Sequence, residues 1–182
     1  MQILLHYSDV FASENHVLHK SGKTVCMYVR PKGFKLNFVP SFWLSGSILN
    51  CVSSHKYIGV IFNNDMKDDN SISQQRRNLY PKGNVVIRNF SKCTEDEKCQ
   101  LFRTFCTHFY CSSLWSYYTL ESLRSLQVAY NRIFRNLMFL NHRTSMSENL
   151  IKHCLNPFKV IVRKSIYSFK SIILIIDNIL VL

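Results

Sequence analysis

No two of the seven cysteines (Cys26, Cys51, Cys93, Cys99, Cys106, Cys111 and Cys154) stand in C-x-x-C spacing, and their number is odd. That excludes the paired-knuckle arrangement of a zinc ribbon and gives no even framework for disulfides. The opening Met1-Gln2-Ile3-Leu4-Leu5-His6 has neither the charged start nor the long apolar run of a secretory leader. Reduced thiols in an intracellular protein are therefore expected, with nucleus and cytoplasm both open. No stretch reaches the roughly 20 apolar residues that span a bilayer. The longest, Ile172 to Leu182, is interrupted by Asp177 and reads as a core segment or a sticky end. Internal repeats and low-complexity tracts are absent. Acids are scarce, with 11 Asp/Glu against 23 Lys/Arg, a net charge of +12.

What is present belongs to a folding chain. Of its 182 residues, 47% are apolar and 13% aromatic, enough for one ordinary domain or two small pieces. The charge is unevenly spread. Residues 1–70 carry 7 Lys/Arg against 5 Asp/Glu, a net of +2, whereas residues 71–182 carry 16 against 6, a net of +10. A positive field on one region suits a polyanionic partner, nucleic acid being the commonest, with an anionic membrane surface as the rival.

The pattern changes at about residue 70. Ile3, Leu4, Tyr7 and Phe11 predict a short amphipathic helix from Met1. Thr24–Val29 reads as a strand ended by Pro31-Lys32-Gly33. Phe42-Trp43-Leu44 and Ser47-Ile48-Leu49 flank Ser45-Gly46 as a tight hairpin. Lys56 to Phe62 reads as one further strand. The loop behind it holds Asp65, Asp68 and Asp69 in no calcium-loop spacing and reads as a solvated turn.

Helical spacing runs from Ile72 to Phe90, with Pro81 and Gly83 predicting a break or kink. Thr94-Glu95-Asp96-Glu97 is a capping box opening a helix whose Leu101, Phe105 and Phe109 recur every four residues. Cys106, His108 and Cys111 alternate with aromatics there and read as core packing before zinc. A helix over Leu120–Leu140 has Leu123, Leu126, Tyr130, Ile133, Phe134 and Leu137 on its apolar face. Arg124, Asn131 and Arg135 take the opposite side, with Arg132 at its edge. Ser145-Met146-Ser147-Glu148 opens a short helix, and Pro157 starts the last, which carries Lys159, Arg163, Lys164 and Lys170.

Two short stretches carry a family resemblance. Lys23-Thr24-Val25-Cys26-Met27 resembles the lysine-bearing segment just after the catalytic loop of LINE-type, non-LTR retrotransposon reverse transcriptases. Lys56-Tyr57-Ile58-Gly59-Val60 is similar to the K-Y-L-G-V stretch of those enzymes, where a hairpin grips the primer end. The order that follows is similar too: a polar loop, a helix with Arg76 and Arg77, a helix ending in aromatics and Trp115, then Leu-x-x-Leu-Gln-x-x-Tyr-Asn-Arg over Leu123–Arg132. Departures are Lys20 where the family has asparagine, Pro81 within a thumb helix, and the apolar tail after Ser171.

The resemblance implies an α+β fold. Residues 1–70 would be a remnant of the palm edge, a short N-terminal helix with a small antiparallel β-hairpin region. Residues 71–182 would be a helical thumb-like bundle and its continuation. It implies RNA-directed DNA synthesis for the parent enzyme, with magnesium held by palm aspartates. The required F/Y-x-D-D turn is missing: Tyr7-Ser8-Asp9-Val10 has one aspartate and stands too close to Lys23, so Asp9 reads as a helix-surface residue. The chain alone is then an inactive fragment with no catalytic residue, no metal ligand and no small-molecule substrate.

Implied contacts to an RNA–DNA duplex are Lys23, near nucleotide phosphates; Lys56, Tyr57 and Gly59, at the primer grip; and Arg76, Arg77, Arg124, Arg132 and Arg135, on thumb phosphates. Each also has an ordinary reading: Lys23 as a solvated strand-start lysine, Tyr57 as an aromatic packed on the sheet, each arginine as a solvated face residue. The alternative function is a non-enzymatic helical module docking on a protein or membrane surface.

Overall fold

The computed structural model describes residues 1–30, 38 and 40–175. The class is α+β. The chain separates into two compact units, Met1–Lys67 and Asp68–Leu182.

The first unit opens with α1 (Gln2–Glu14) and a short turn of 3-10 helix, Ser21–Lys23. Three small strand pairs follow. β2 (Trp43–Leu44) and β3 (Ser47–Ile48) form an antiparallel hairpin, as the sequence predicts. Its two-residue turn puts Ser45 at φ 47 and Gly46 at φ 75, the left-handed pairing that matches strand twist. β1 is only Val25–Cys26 and pairs in parallel with β4 (Asn50–Cys51), so the strand expected over Thr24–Val29 is shorter and its partner is not a hairpin neighbour.

The stretch read as one strand, Lys56–Phe62, is instead folded back on itself. β5 (Ser54–Tyr57) pairs antiparallel with β6 (Val60–Asn63) across Ile58-Gly59. Ile-Gly is not a familiar hairpin dipeptide, and a run of β-formers with no polar break conceals the turn.

Helix α1 is present, yet its apolar face is exposed: Ile3, Leu4, Tyr7 and Phe11 all stand open. The covered positions are Leu5, Asp9 and Ala12, spaced four and three residues apart, with Gln2 one turn before them at the exposed end. Gln2 exchanges two hydrogen bonds with the Trp43 backbone, at 2.9 and 3.0 Å. Asp9 accepts from the Ser45 amide and hydroxyl. Polar pinning has replaced apolar burial in orienting this helix.

The second unit is a helical bundle: α2 (Asp69–Asn89), α3 (Glu95–Cys106), α4 (Leu120–Leu137), α5 (Met146–Lys152) and α6 (Phe158–Ile175). Its core is aromatic. Phe102 lies 5.1 Å from both Tyr130 and Phe134 between ring centroids, and Phe109 meets Phe158 at 5.3 Å, largely edge to face. Tyr130 is fully buried and donates its hydroxyl to the Asn156 carbonyl at 2.9 Å. On α4 the predicted face holds for Leu126, Tyr130, Ile133, Phe134 and Leu137, all buried and joined by Ala129, while Leu123 is half-buried. On α3 the inward stripe is Cys99, Phe102 and Cys106, while Phe105 is exposed and Phe109 packs beyond the helix end. The cysteines serve here as small apolar residues, and burial pushes the Cys106 thiol up to about 11.

On α2 the expected interruption is not a break. The helix runs through Pro81 without a break. Pro81 is exposed and one lost backbone bond is tolerated because the flanking turns pack. Gly83 is not a breaker either. A Cβ there would lie 2.5 Å from Ile133 Cγ2 and 2.8 Å from Cδ1, so the missing side chain is what lets α2 approach α4. The acidic residues are likewise not a solvated turn. Asp68 accepts from the amides of Ser116 and Tyr117 at 2.8 and 2.9 Å, and Asp69 accepts from the Thr119 amide and hydroxyl at 2.8 Å, tying the start of α2 to the entry of α4. Asp65 instead closes a local turn onto the Lys67 amide. Both capping boxes sit where predicted, the Thr94–Glu97 one complete and the Ser145 one as a single bond from the Glu148 amide. Of the apolar tail, Ile172–Ile175 finish α6 exposed; residues 176–182 lie outside the described residues. Among the described residues no helix is long and apolar enough to cross a membrane.

Gly83→Ala should destabilise the bundle by about 1–2 kcal/mol, because overpacking against a β-branched side chain outweighs the helix-propensity gain of about 1 kcal/mol. Combined with Ile133→Ala, the double variant should lose less than the two singles together, read from denaturant midpoints. The Glu97 carboxyl is held low by the Thr94 amide, then by its hydroxyl. Its contribution is complete above the ordinary value of 4.5 and fades as pH falls through the depressed one. The stability gap between wild type and Glu97→Gln should accordingly close on acidification.

Candidate nucleic-acid interface

The sequence-predicted residues fall into both units. In the first, Lys56 and Tyr57 end β5, and Gly59 completes the turn to β6. The turn demands left-handed backbone at both central residues, met by Gly59 at φ 80 and by Ile58 at φ 46. Glycine is therefore explained by the turn itself. Ile58 is the anomaly: a β-branched residue in this region is strained by about 1 kcal/mol or more. It is also 68% exposed, and Tyr57 beside it is 61% exposed. Tyr57 does not pack on the sheet. The tip thus presents a cation, an aromatic ring and an aliphatic side chain to solvent together. Sequence reading missed Ile58, since only the observed turn reveals its conformation.

Lys23 ends the 3-10 turn, exposed, its amide bonded to the Lys20 carbonyl at 2.9 Å.

In the second unit the five arginines divide. Arg77 on α2 and Arg124 and Arg132 on α4 are exposed. Arg76 is half-buried, donates to the Ser125 hydroxyl, and lines a polar notch of about 200 Å³ with Ser73, Glu121, Ser122 and Ser125. Arg135 is half-buried and donates Nη2 to the Thr144 carbonyl at 3.3 Å, with Nε buried. It fastens the segment after α4 and does not stand on a solvated face. Lys159, Arg163, Lys164 and Lys170 are exposed along α6, Lys164 reaching Asn156 Oδ1 at 3.3 Å. Among the described residues, no carboxylate lies within ion-pairing distance of Arg77, Arg124, Arg132, Lys159, Arg163 or Lys170.

Asp9 is committed locally. Its carboxyl is held below the usual range by the Ser45 amide first, then by the Ser45 hydroxyl, with His19 Nε2 3.7 Å away. Both oxygens accept from Ser45. Among the described residues no group of three or more His, Cys, Asp or Glu side chains is gathered. A lone carboxylate whose oxygens already accept from Ser45 does not fit a pair of magnesium ions.

Gly59→Ala should speed amide exchange in β5 and β6 several-fold, by about 1 kcal/mol of lost hairpin stability, and Ile58→Asn should slow it, since asparagine tolerates the left-handed region. Equal exchange in all three proteins would mean that the turn is not strained. Comparison with protein-family models, with curated proteins and with solved structures gives no match for this chain.

Proposed function

We propose that this chain is the palm-edge and thumb portion of a non-LTR retrotransposon reverse transcriptase, inactive by itself, that holds RNA–DNA duplex through phosphates without reading sequence. The reading rests on the two motif stretches and their order. The observation that carries it is the cation surface of the second unit: Arg77, Arg124 and Arg132 stand exposed and, among the described residues, without acidic partners. Guanidinium groups fork onto phosphate oxygens, and releasing the condensed counterions favours the complex whatever the sequence. The exposed Tyr57 tip adds a surface on which a base or sugar can stack. Arg76 and Arg135 contribute less, because each already donates within the fold.

A second reading is favoured by one feature, the exposed apolar end of α6, where Leu174 is 86% exposed. It makes the chain an interaction module docking by apolar burial, and predicts association indifferent to salt.

Titrating the folded chain with an RNA–DNA duplex at several salt concentrations separates the two. Duplex binding should weaken steeply with salt. Arg77→Ala, Arg124→Ala and Arg132→Ala should each lower the log–log slope by roughly 1. Arg135→Ala should reduce thermal stability and leave the slope nearly unchanged. A folded chain that binds no duplex at low salt sinks the proposal.

A further inference from the structure

Cys26 and Cys51 are the two cysteines of the first unit, and the strand register sets them opposite one another. β1 and β4 pair in parallel with Val25 against Asn50 and Cys26 against Cys51. The pairing is backed by the Val52 amide donating to the Cys26 carbonyl at 2.9 Å. Adjacent strands lie about 4.8 Å apart, and register partners send their side chains to the same face. Disulfides join Cα atoms about 4.4–6.8 Å apart, so the backbone already meets the requirement.

The electrostatics of a neighbouring tyrosine agree with this register. The hydroxyl of Tyr28, two residues along the strand direction from Cys26, is pushed up by desolvation, then by the Cys26 charge and a hydrogen bond to its thiol, and finally by the charge of Cys51. The Tyr28 hydroxyl itself donates to the Pro40 carbonyl. The two cysteines are free thiols, Cys51 exposed and Cys26 half-buried.

We propose that Cys26 and Cys51 are a dithiol pair, a site of reversible thiol–disulfide modification that staples β1 to β4. The co-reactant is a small-molecule disulfide. The exposed Cys51 thiolate attacks one sulfur of that disulfide, forming a mixed disulfide and expelling one small thiolate. The Cys26 thiolate then attacks Cys51 Sγ and expels the second. Two cysteine thiols are oxidised, one external disulfide is reduced to two thiols, and the two cysteine protons pass to the departing thiolates. The order follows accessibility, since the outer sulfur meets the reagent and the inner one resolves it. The site is independent of the nucleic-acid reading.

The test treats the full chain with oxidised glutathione, blocks residual thiols by alkylation, and maps disulfides by mass spectrometry of the digest. In native buffer a Cys26–Cys51 linked peptide, two hydrogens lighter than the separate peptides, should be the dominant product. In denaturant, pairing should spread over the seven cysteines. Cys26→Ser should stop at a glutathione adduct on Cys51. Two results overturn the proposal: a folded wild-type chain carrying glutathione on Cys51 with no internal bond, or the same pairing pattern folded and denatured.

Discussion

The approach of α2 to α4 at Gly83 is the constraint on which the helical unit depends. Ile133 fills the space that any side chain at position 83 would need. With that contact made, the rest of the α4 face falls into place: Tyr130 and Phe134 meet Phe102 from α3, and Tyr130 meets Phe158 from α6. Helix spacing of this kind is set by the smallest residue at the crossing, because ridges elsewhere can interdigitate only as far as the closest point allows. Proline two residues earlier is tolerated on the outer side of the same helix, where the cost is one backbone bond and not a packing defect.

Around that core, polar groups fix the connections. Asp68 and Asp69 gather the amides ahead of α4, Tyr130 ties the Asn156 carbonyl, and Arg135 holds Thr144. Three of the unit's eight acids serve such internal tasks, Asp68 and Asp69 in the clamp and Glu97 in the α3 cap. What is left uncompensated is the cationic surface.

Long, strongly patterned segments were legible in the sequence. The α4 face, both N-caps and the Ser45-Gly46 hairpin are set by local periodicity and turn chemistry, and each stands where those rules put it. Features set by tertiary context were not. Gly83 reads as a breaker until its neighbour is known. The Ile58-Gly59 turn is hidden by its apolar residues. On α3, Cys106 is buried as its core reading has it, whereas Phe105 and Cys99 exchange outside and inside because the four-residue aromatic spacing hid the true stripe. Of the candidate contact residues, the sequence could not separate Arg132, which is free, from Arg135, which is tethered, since the distinction lies in a loop carbonyl nine residues away.

Helix α1 meets its hairpin through Gln2 and Asp9, not through its apolar stripe. Contacts of that kind are directional, whereas apolar burial tolerates sliding and rotation. Shifting the helix by one residue would turn it by about 100° and cost both pairs of bonds at once. The placement of α1 is consequently indexed like a key with two teeth: nearly any error in its phase is all-or-none, and the helix has one angular setting on the hairpin, not a range of similar ones.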